Sequence, residues 1–377
     1  MKTTILNKFK PMIAVSATLA STLLVSQAHG ETSKVTTNKI DVVAEITNTR
    51  PGNLTITPNG RMILSQQPLD APELRVVEVM ANGELQPFPT LDWADGPEKG
   101  EVGFESVIGV HTTTDGIVWV LDMGSATSPA KLVAWDTNSN QLHKIIPIDK
   151  SATVDNSFLQ DFAIDEKRQQ IYIADTTLGN LFGAIKSAFV VVDIKTGKSR
   201  RVLQTNPKLM PPEHTVVVNG SVMGAKREDG SKDPIYLGLN PIAIDAQYDW
   251  VYFGTVNGSE LFRIPASALA DSANNDNQLD AKIEFYSKKR PSDGIVIDTD
   301  GTIYAGDIEN SSVTKITSTG VEVIAQDNTM LSWPDGFAID NGWLYVTQNQ
   351  LHLTASLNEG EAQGTKPYRI LRIKIDK

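Results

Sequence analysis

Residues 291–316 read Pro-Ser-Asp-Gly-Ile-Val-Ile-Asp-Thr-Asp-Gly-Thr-Ile-Tyr-Ala-Gly-Asp-Ile-Glu-Asn-Ser-Ser-Val-Thr-Lys-Ile. Ile295-Val-Ile297 and Thr302-Ile-Tyr-Ala305 are short β-branched and aromatic runs. The Asp300-Gly301 pair between them supplies the positive φ that a tight hairpin needs. Val313-Thr-Lys-Ile316 follows a polar loop, and Val321-Glu-Val-Ile324 follows Ser318-Thr-Gly320. The stretch therefore predicts four antiparallel strands in about 35 residues, the length of one propeller blade.

The same phasing recurs along the chain. Leu54-Thr-Ile56 precedes Arg61-Met-Ile-Leu64, Val107-Ile-Gly-Val110 precedes Ile117-Val-Trp-Val-Leu121, and Phe162-Ala-Ile164 precedes Ile171-Tyr-Ile-Ala174. Ile242-Ala-Ile244 with Trp250-Val-Tyr-Phe253, and Phe337-Ala-Ile339 with Trp343-Leu-Tyr-Val346, complete the set. A single sheet cannot cover both its faces, but six packed around an axis can, so the expected fold is all-β, a six-bladed β-propeller. A β-sandwich is the alternative. The last repeat offers only Tyr368-Arg-Ile-Leu-Arg-Ile-Lys-Ile375 after its hairpin, whereas residues 39–47 form a strand with no hairpin of their own. The N-terminal strand is expected to complete the last blade and remove an open edge.

Residues 1–30 carry Lys2, Lys8 and Lys10, an apolar run over residues 12–25 and Ala28-His-Gly30, the pattern of a signal peptide cleaved after Gly30. The run is too short to span a bilayer, so a secreted or periplasmic chain of one domain, residues 31–377, is expected, with no membrane insertion after cleavage. There is no cysteine, so stability must come from burial and any metal must be held by oxygen or His. Without residues 1–30 the balance is 31 basic to 45 acidic side chains, a net charge of −14, which disfavours nucleic acid as a partner.

In each blade the residues before the first strand and after the second lie on one face, termed the upper face. Asn53, Glu105, Asp161, Asn240, Asp293 and Asp335 precede first strands, while Asp122, Asp175, Asn257, Asp307 and Asn349 follow second strands. Asp165, Asp245, Asp298 and Asp340 fall at the opposite hairpin turns, where Asp caps its own turn. Two long connections, residues 88–103 with Trp93 and residues 204–239 with His214, are expected to cross the upper face. Asn219-Gly220 in the second predicts a hairpin there, and residues 178–187 add apolar Leu181 and Phe182.

Val118-Trp-Val-Leu-Asp-Met-Gly124, Ile171-Tyr-Ile-Ala-Asp175, Glu260-Leu-Phe-Arg-Ile-Pro265, Ser332-Trp-Pro-Asp-Gly336 and Gln348-Asn-Gln-Leu351, in this order, resemble the Yellow and major royal jelly proteins. Bacterial members of that family are described as related to dopachrome tautomerase. The resemblance implies a secreted six-bladed propeller that binds a small amine, catechol or indole-like molecule at the mouth of its channel. A looser similarity is to the gluconolactonase and senescence marker protein family. There, Asn240 before Pro241, Asp293 before Gly294 and Asp335 before Gly336 would be metal ligands. That family's early Glu has no counterpart, since blade one reads Pro51-Gly52-Asn53, and Glu105 is one residue out of register.

No Ser-His-Asp order, phosphate loop or His-rich metal motif is present. His111 and His143 fall near strand ends and read as surface or turn residues; His214 and His352 belong to upper-face loops. The acids and amides on that face either hydrogen-bond across a water-filled channel or act chemically. Asn240, Asp293 and Asp335 would form an all-oxygen shell suited to Ca²⁺ or Mg²⁺. Without metal, Asp293 and Asp335 would be the catalytic proton acceptors. The remaining candidates for ligand contact are Trp93, Glu105, Asp161, His214, Asn240, Asp307, Trp333, Asn349 and His352. Three functions stay open: a tautomerase-like or ligand-binding protein, a metal-dependent lactonase, and an interaction propeller without chemistry.

Overall fold

The computed structural model describes residues 38–99, 102–181 and 183–375. The expected signal peptide and Phe182 lie outside them. Six four-stranded antiparallel sheets form a six-bladed propeller. Blade one runs Pro51–Ile56, Met62–Gln66, Val76–Val79 and Leu85–Pro87, and blade two Val107–Thr112, Ile117–Asp122, Lys131–Asp136 and Gln141–Pro147. Blade three comprises Leu159–Asp165, Gln170–Asp175, Ala188–Asp193 and Ser199–Val202; blade four comprises Leu239–Ile244, Trp250–Thr255, Glu260–Pro265 and Glu284–Lys288. Ile295–Ile297, Ile303–Asp307, Ser312–Thr317 and Gly320–Gln326 make blade five. Blade six takes Pro334–Asp340, Trp343–Gln348 and Tyr368–Lys374 from the end of the chain and Ile40–Ile46 from its start. Among the described residues no helix is long and apolar enough to cross a membrane.

The packing follows from the alternation of side chains along each strand. Ile117, Trp119 and Leu121 point to blade three and meet Phe162, Ile164, Ile171 and Ile173, while Val118 and Val120 point to blade one and meet Ile63, Val76 and Phe88. Each sheet is thus buried on both faces by its neighbours.

The innermost strands bear a shared irregularity. The register with the second strand slips between Pro51 and Leu54, Val107 and Val110, Leu159 and Asp161, Leu239 and Ile242, and Pro334 and Phe337. A bulge at the start of an inner strand turns its side chain toward the axis, and Asn53, Gln160, Asn240 and Asp335 occupy these bulges. Small residues are required alongside. A Cβ on Gly294 would overlap the Asp335 carbonyl, and one on Gly336 would come within 2.7 Å of Asn53 Cα. Gly336→Ala should therefore cost about 1–3 kcal/mol, read as a lower denaturant midpoint at constant slope.

Above the axis, the connection of residues 204–239 folds into two small hairpins, Val217–Val218 with Ser221–Val222 and Gly224–Lys226 with Lys232–Pro234. Asn219 and Gly220 both have positive φ, 49° and 79°, as a two-residue hairpin turn demands. Val216, Val218, Met223, Ile235 and Leu237 from this insertion pack with Leu178, Ile308, Trp333, Leu351 and Leu357 into one buried apolar cluster. The upper end of the channel is closed by hydrophobic packing.

Candidate functional site

Below that lid the inner strands bring polar side chains from all six blades to the axis. Asn53, His111, Gln160, Asp161, Asn240, Asp293 and Asp335 surround a cavity of about 10 Å³, room for a single water. Asp293 is fully buried and held by three side-chain donors. Trp333 Nε1 donates to Oδ2 at 2.8 Å, Gln160 Nε2 donates to Oδ1 at 3.0 Å, and Asn240 Nδ2 donates to Oδ1 and to the Asp293 carbonyl. Asp335 has one such donor, Asn349 Nδ2 at 2.7 Å. Asp161 Oδ1 accepts from Asn53 Nδ2 at 3.2 Å and from the Phe162 amide at 2.8 Å, and lies 2.7 Å from His111 Nε2.

Burial raises the pKa of Asp293, with its three donors opposing the rise. Burial raises Asp335 well above the ordinary carboxyl value, and the charges of Asp293 and Asp161 push it further. Two acids in one dry site cannot both ionise cheaply, and Asp335, with fewer donors, is the one shifted further upward.

From this polar floor the channel widens toward the face of the hairpin turns into a cavity of about 400 Å³. Its walls are Phe162, Ile164, Ile242, Ile244, Ile295, Ile297, Phe337 and Ile339, and its rim carries Thr114, Glu166, Tyr248 and Thr299. His111, Ile295 and Phe337 line both floor and funnel. The sequence points to the upper mouth as the place of binding, but the lid insertion carries its own apolar side chains and fills that mouth. The cavity that shares residues with the floor lies at the other end.

The candidate residues separate accordingly. Asp161, Asn240, Asp293 and Asp335 meet at the floor, and Asn349 and Trp333 support it from above. Trp333 is fully buried, with its indole N–H spent on Asp293, so it has no free face for a ligand. His352 stacks on Trp333 at 5.9 Å, and burial lowers its pKa to about 4. Trp93 is a packing residue between blades one and two, 5.3 Å from Phe104. Glu105 accepts from Ser125 Oγ at 3.3 Å, and His214 lies 3.1 Å from Glu309 on the outside. Asp307 caps its own turn through the Asn310 amide at 3.1 Å.

Most acids that follow a second strand are one strand removed from the axis, about 4.8 Å, and bind loop amides there. Asp122 accepts from the amides of Glu105, Ser106 and Gly124, and Asp175 from those of Phe158 and Thr177. Among the hairpin-turn acids, Asp165 accepts from the Arg168 amide and Asp245 from that of Asp249, the capping role expected of them. Reasoning from sequence sets Asn53 and Gln160 directly before first strands without making them candidates for contact, and reads His111 as a surface or turn residue.

At Asp293 the N–H groups of Trp333, Gln160 and Asn240 already occupy most of the carboxylate's lone pairs, while Asn240 Oδ1 and Asn349 Oδ1 are buried without a hydrogen-bond partner. Among the described residues no group of three or more His, Asp or Glu side chains is placed to hold a metal.

A sequence profile of the major royal jelly proteins matches residues 105–376. The chain belongs to the major royal jelly protein family. No curated protein sequence matches it closely. Among solved structures, this royal jelly family member resembles a gluconolactonase from Xanthomonas campestris, with 10% identity, 90% of each chain covered and a TM-score of 0.54. A luciferin-regenerating enzyme gives 12% identity over 90% of this chain and 97% of that one, with a TM-score of 0.54. A regucalcin from Agrobacterium tumefaciens, described as calcium-binding, gives 15% identity over 90% and 96%, with a TM-score of 0.53. At such identities the likeness is one of fold.

Proposed function

We propose that this royal jelly family member is an exported protein that binds a small, flat, amine-bearing molecule in the funnel on the hairpin-turn face. The ring would lie between the apolar walls and the amine would reach the carboxylates of the floor. The observation that carries this reading is the pairing of a 400 Å³ apolar funnel with a closed floor holding Asp161, Asp293 and Asp335. Ligand sites combine apolar walls with a few convergent polar groups in this way. An ammonium would also bring a positive charge to Asp293 and Asp335, which have no ion-pair partner among the described residues. The acidic balance of the chain and the signal-like N-terminus support an exported protein with a small-molecule partner.

Titration calorimetry with tryptamine, against 3-ethylindole as the ring without its amine, tests the reading. Tryptamine should bind at least ten-fold tighter, and Asp335→Asn should remove most of that difference. An ammonium favours the ionised form of Asp335, so binding should release protons. Affinity should rise with pH through the raised Asp335 titration until the amine itself deprotonates. Equal affinity for the two compounds would refute the proposal.

A further inference from the structure

A cavity of about 620 Å³ lies away from the channel, where residues 207–212 pass the end of the second strand and the start of the third strand of blade four. It shares no residue with the floor or the funnel. Its apolar walls are Pro207, Met210, Pro211 and Pro212 from the connection and Phe262 from blade four. Phe262 packs on Phe253 at 5.9 Å and has Phe285, 54% exposed, beside it at 6.3 Å. These walls are stiff. The prolines fix their own φ, the fully buried Leu209 accepts from the Leu239 amide at 2.9 Å, and the Asn206 side chain accepts from the Lys208 amide at 3.0 Å. The base is formed by Thr255, Gly258 and Ser259. Lys289 holds it from behind, with its ammonium on the Thr255 and Gly258 carbonyls and its amide on the Ser259 carbonyl at 3.0 Å. Two charged side chains face the cavity, Lys208 and Glu260. Their own partners, Asp280 at 2.6 Å from Lys208 Nζ and Lys288 at 2.9 Å from Glu260 Oε1, lie outside its walls. The members of these pairs are 32% to 64% exposed, so each pair is weak and can share its charge with a ligand.

We propose that this cavity is a second binding site, for a zwitterion that carries an aromatic ring, the chemical class of a free aromatic amino acid. The ring packs among Phe262 and the prolines, with the Met210 sulfur as a further aromatic contact. The carboxylate pairs with Lys208 and the ammonium with Glu260. One cation and one anion on the protein match one of each on the ligand, whereas a ligand of a single charge leaves one of the two side chains without a complement. The volume falls within the range of small-molecule sites, and walls that are already ordered reduce the cost of binding. The two cavities differ in the chemistry they offer. No lysine or arginine lines the floor or the funnel, so the channel presents acids to an amine, while this cavity presents both signs.

Labelling the methionine methyl groups with carbon-13 puts a reporter in this cavity alone, because Met210 lines it and no methionine lines the floor or the funnel. Met210→Leu assigns the signal. L-Tryptophan should move that signal in a saturable way through the ring current of the bound indole. N-Acetyl-L-tryptophanamide, the same ring with neither charge, should need about tenfold more for half-saturation, and tryptamine and indole-3-propionate about three- to fivefold more each. Lys208→Gln should weaken L-tryptophan about three- to fivefold and leave tryptamine within about twofold. Glu260→Gln should weaken L-tryptophan equally and spare indole-3-propionate. Asp335→Asn, in the channel floor, should leave every titration of the Met210 signal unchanged. A Met210 signal that L-tryptophan does not move, equal half-saturation by L-tryptophan and N-acetyl-L-tryptophanamide, or unaltered titrations in both charge variants would each overturn the proposal.

Discussion

A chain lacking residues 38–47 is expected to lose its cooperative thermal transition or to aggregate on concentration. The strand Ile40–Ile46 supplies the fourth, outermost strand of blade six, pairing from Ile40 with Ile373 to Ile46 with Tyr368. Its removal exposes the apolar edge of Tyr368–Lys374, where Ile370, Leu371 and Ile373 are fully buried. An unpaired strand of that composition is a template for association. Ala44 and Ile46 would also leave the cluster they share with Leu54, Leu64 and Ile370. A second tie lies next to this strand. Arg50, fully buried, donates from Nη1 to the carbonyls of Asn349 at 2.6 Å and Gln350 at 2.5 Å, and pairs with Asp70 at 3.1 Å. Circular dichroism melts and light scattering of the truncated chain decide the matter. A melting curve identical to that of the full chain would mean that closure contributes nothing.

Lys289→Met should destabilise the protein by about 3 kcal/mol or more, the largest effect expected of any single substitution away from the axis. The Lys289 ammonium is fully buried and donates to the carbonyls of Thr255 at 2.7 Å, Gly258 at 2.8 Å and Arg290 at 3.1 Å, and to Ser292 Oγ at 3.2 Å. It gathers the end of blade four onto the segment that enters blade five at Asp293. The methionine would fill the space and take the ammonium donor from the carbonyls of Gly258 and Arg290, while the Thr255 carbonyl keeps only the Gly258 amide at 3.1 Å. Burial lowers the amine to about 7, whereas in the unfolded chain it titrates near about 10.4. Between those values the unfolded state binds the extra proton, so this group's contribution to stability grows as pH rises from 7 toward 10. Urea titrations at pH 7 and pH 9.5 should show a wider gap between wild type and variant at the higher pH. An equal or narrower gap would contradict this account of the amine.

The fold was legible because a blade is a local event. Four strands and their turns lie within about 35 residues, and six copies leave few arrangements. Closure was legible from two remnants, a strand without a hairpin at one end and a hairpin short of a strand at the other. The floor was readable in part, since Asp293 and Asp335 stand directly before inner strands, and so was the lid hairpin at Asn219-Gly220. What failed was radial distance and polarity. Asp122, Asp175 and Asp307 share the height of the floor but not its radius, because a second strand sits behind the first. Trp93 and Trp333 look like ligand platforms in a loop, yet the packing around a loop cannot be read from its own residues. The contact of His111 with Asp161 could not be read from local sequence, because the two are 50 positions apart and in neighbouring blades. The lid was expected to guard an entrance; its apolar side chains make it a stopper.

Among the described residues, the channel is stoppered by apolar packing at one end and opens at the face of the hairpin turns. Whatever enters must back out along the same path, so two molecules cannot exchange by passing through, and a spent molecule blocks the next until it departs. Turnover in such a blind tube would show a product competing directly with its precursor, and departure would limit the pace. Shape tolerance would be unequal along the visitor. Groups at its leading end meet the Asp161, Asp293 and Asp335 cluster and allow little enlargement, whereas groups at its trailing end project past Glu166 and Tyr248 into solvent and can grow at small cost. A series of tryptamines extended at the ring, compared with a series crowded at the amine, would trace that asymmetry and show which way round the visitor sits.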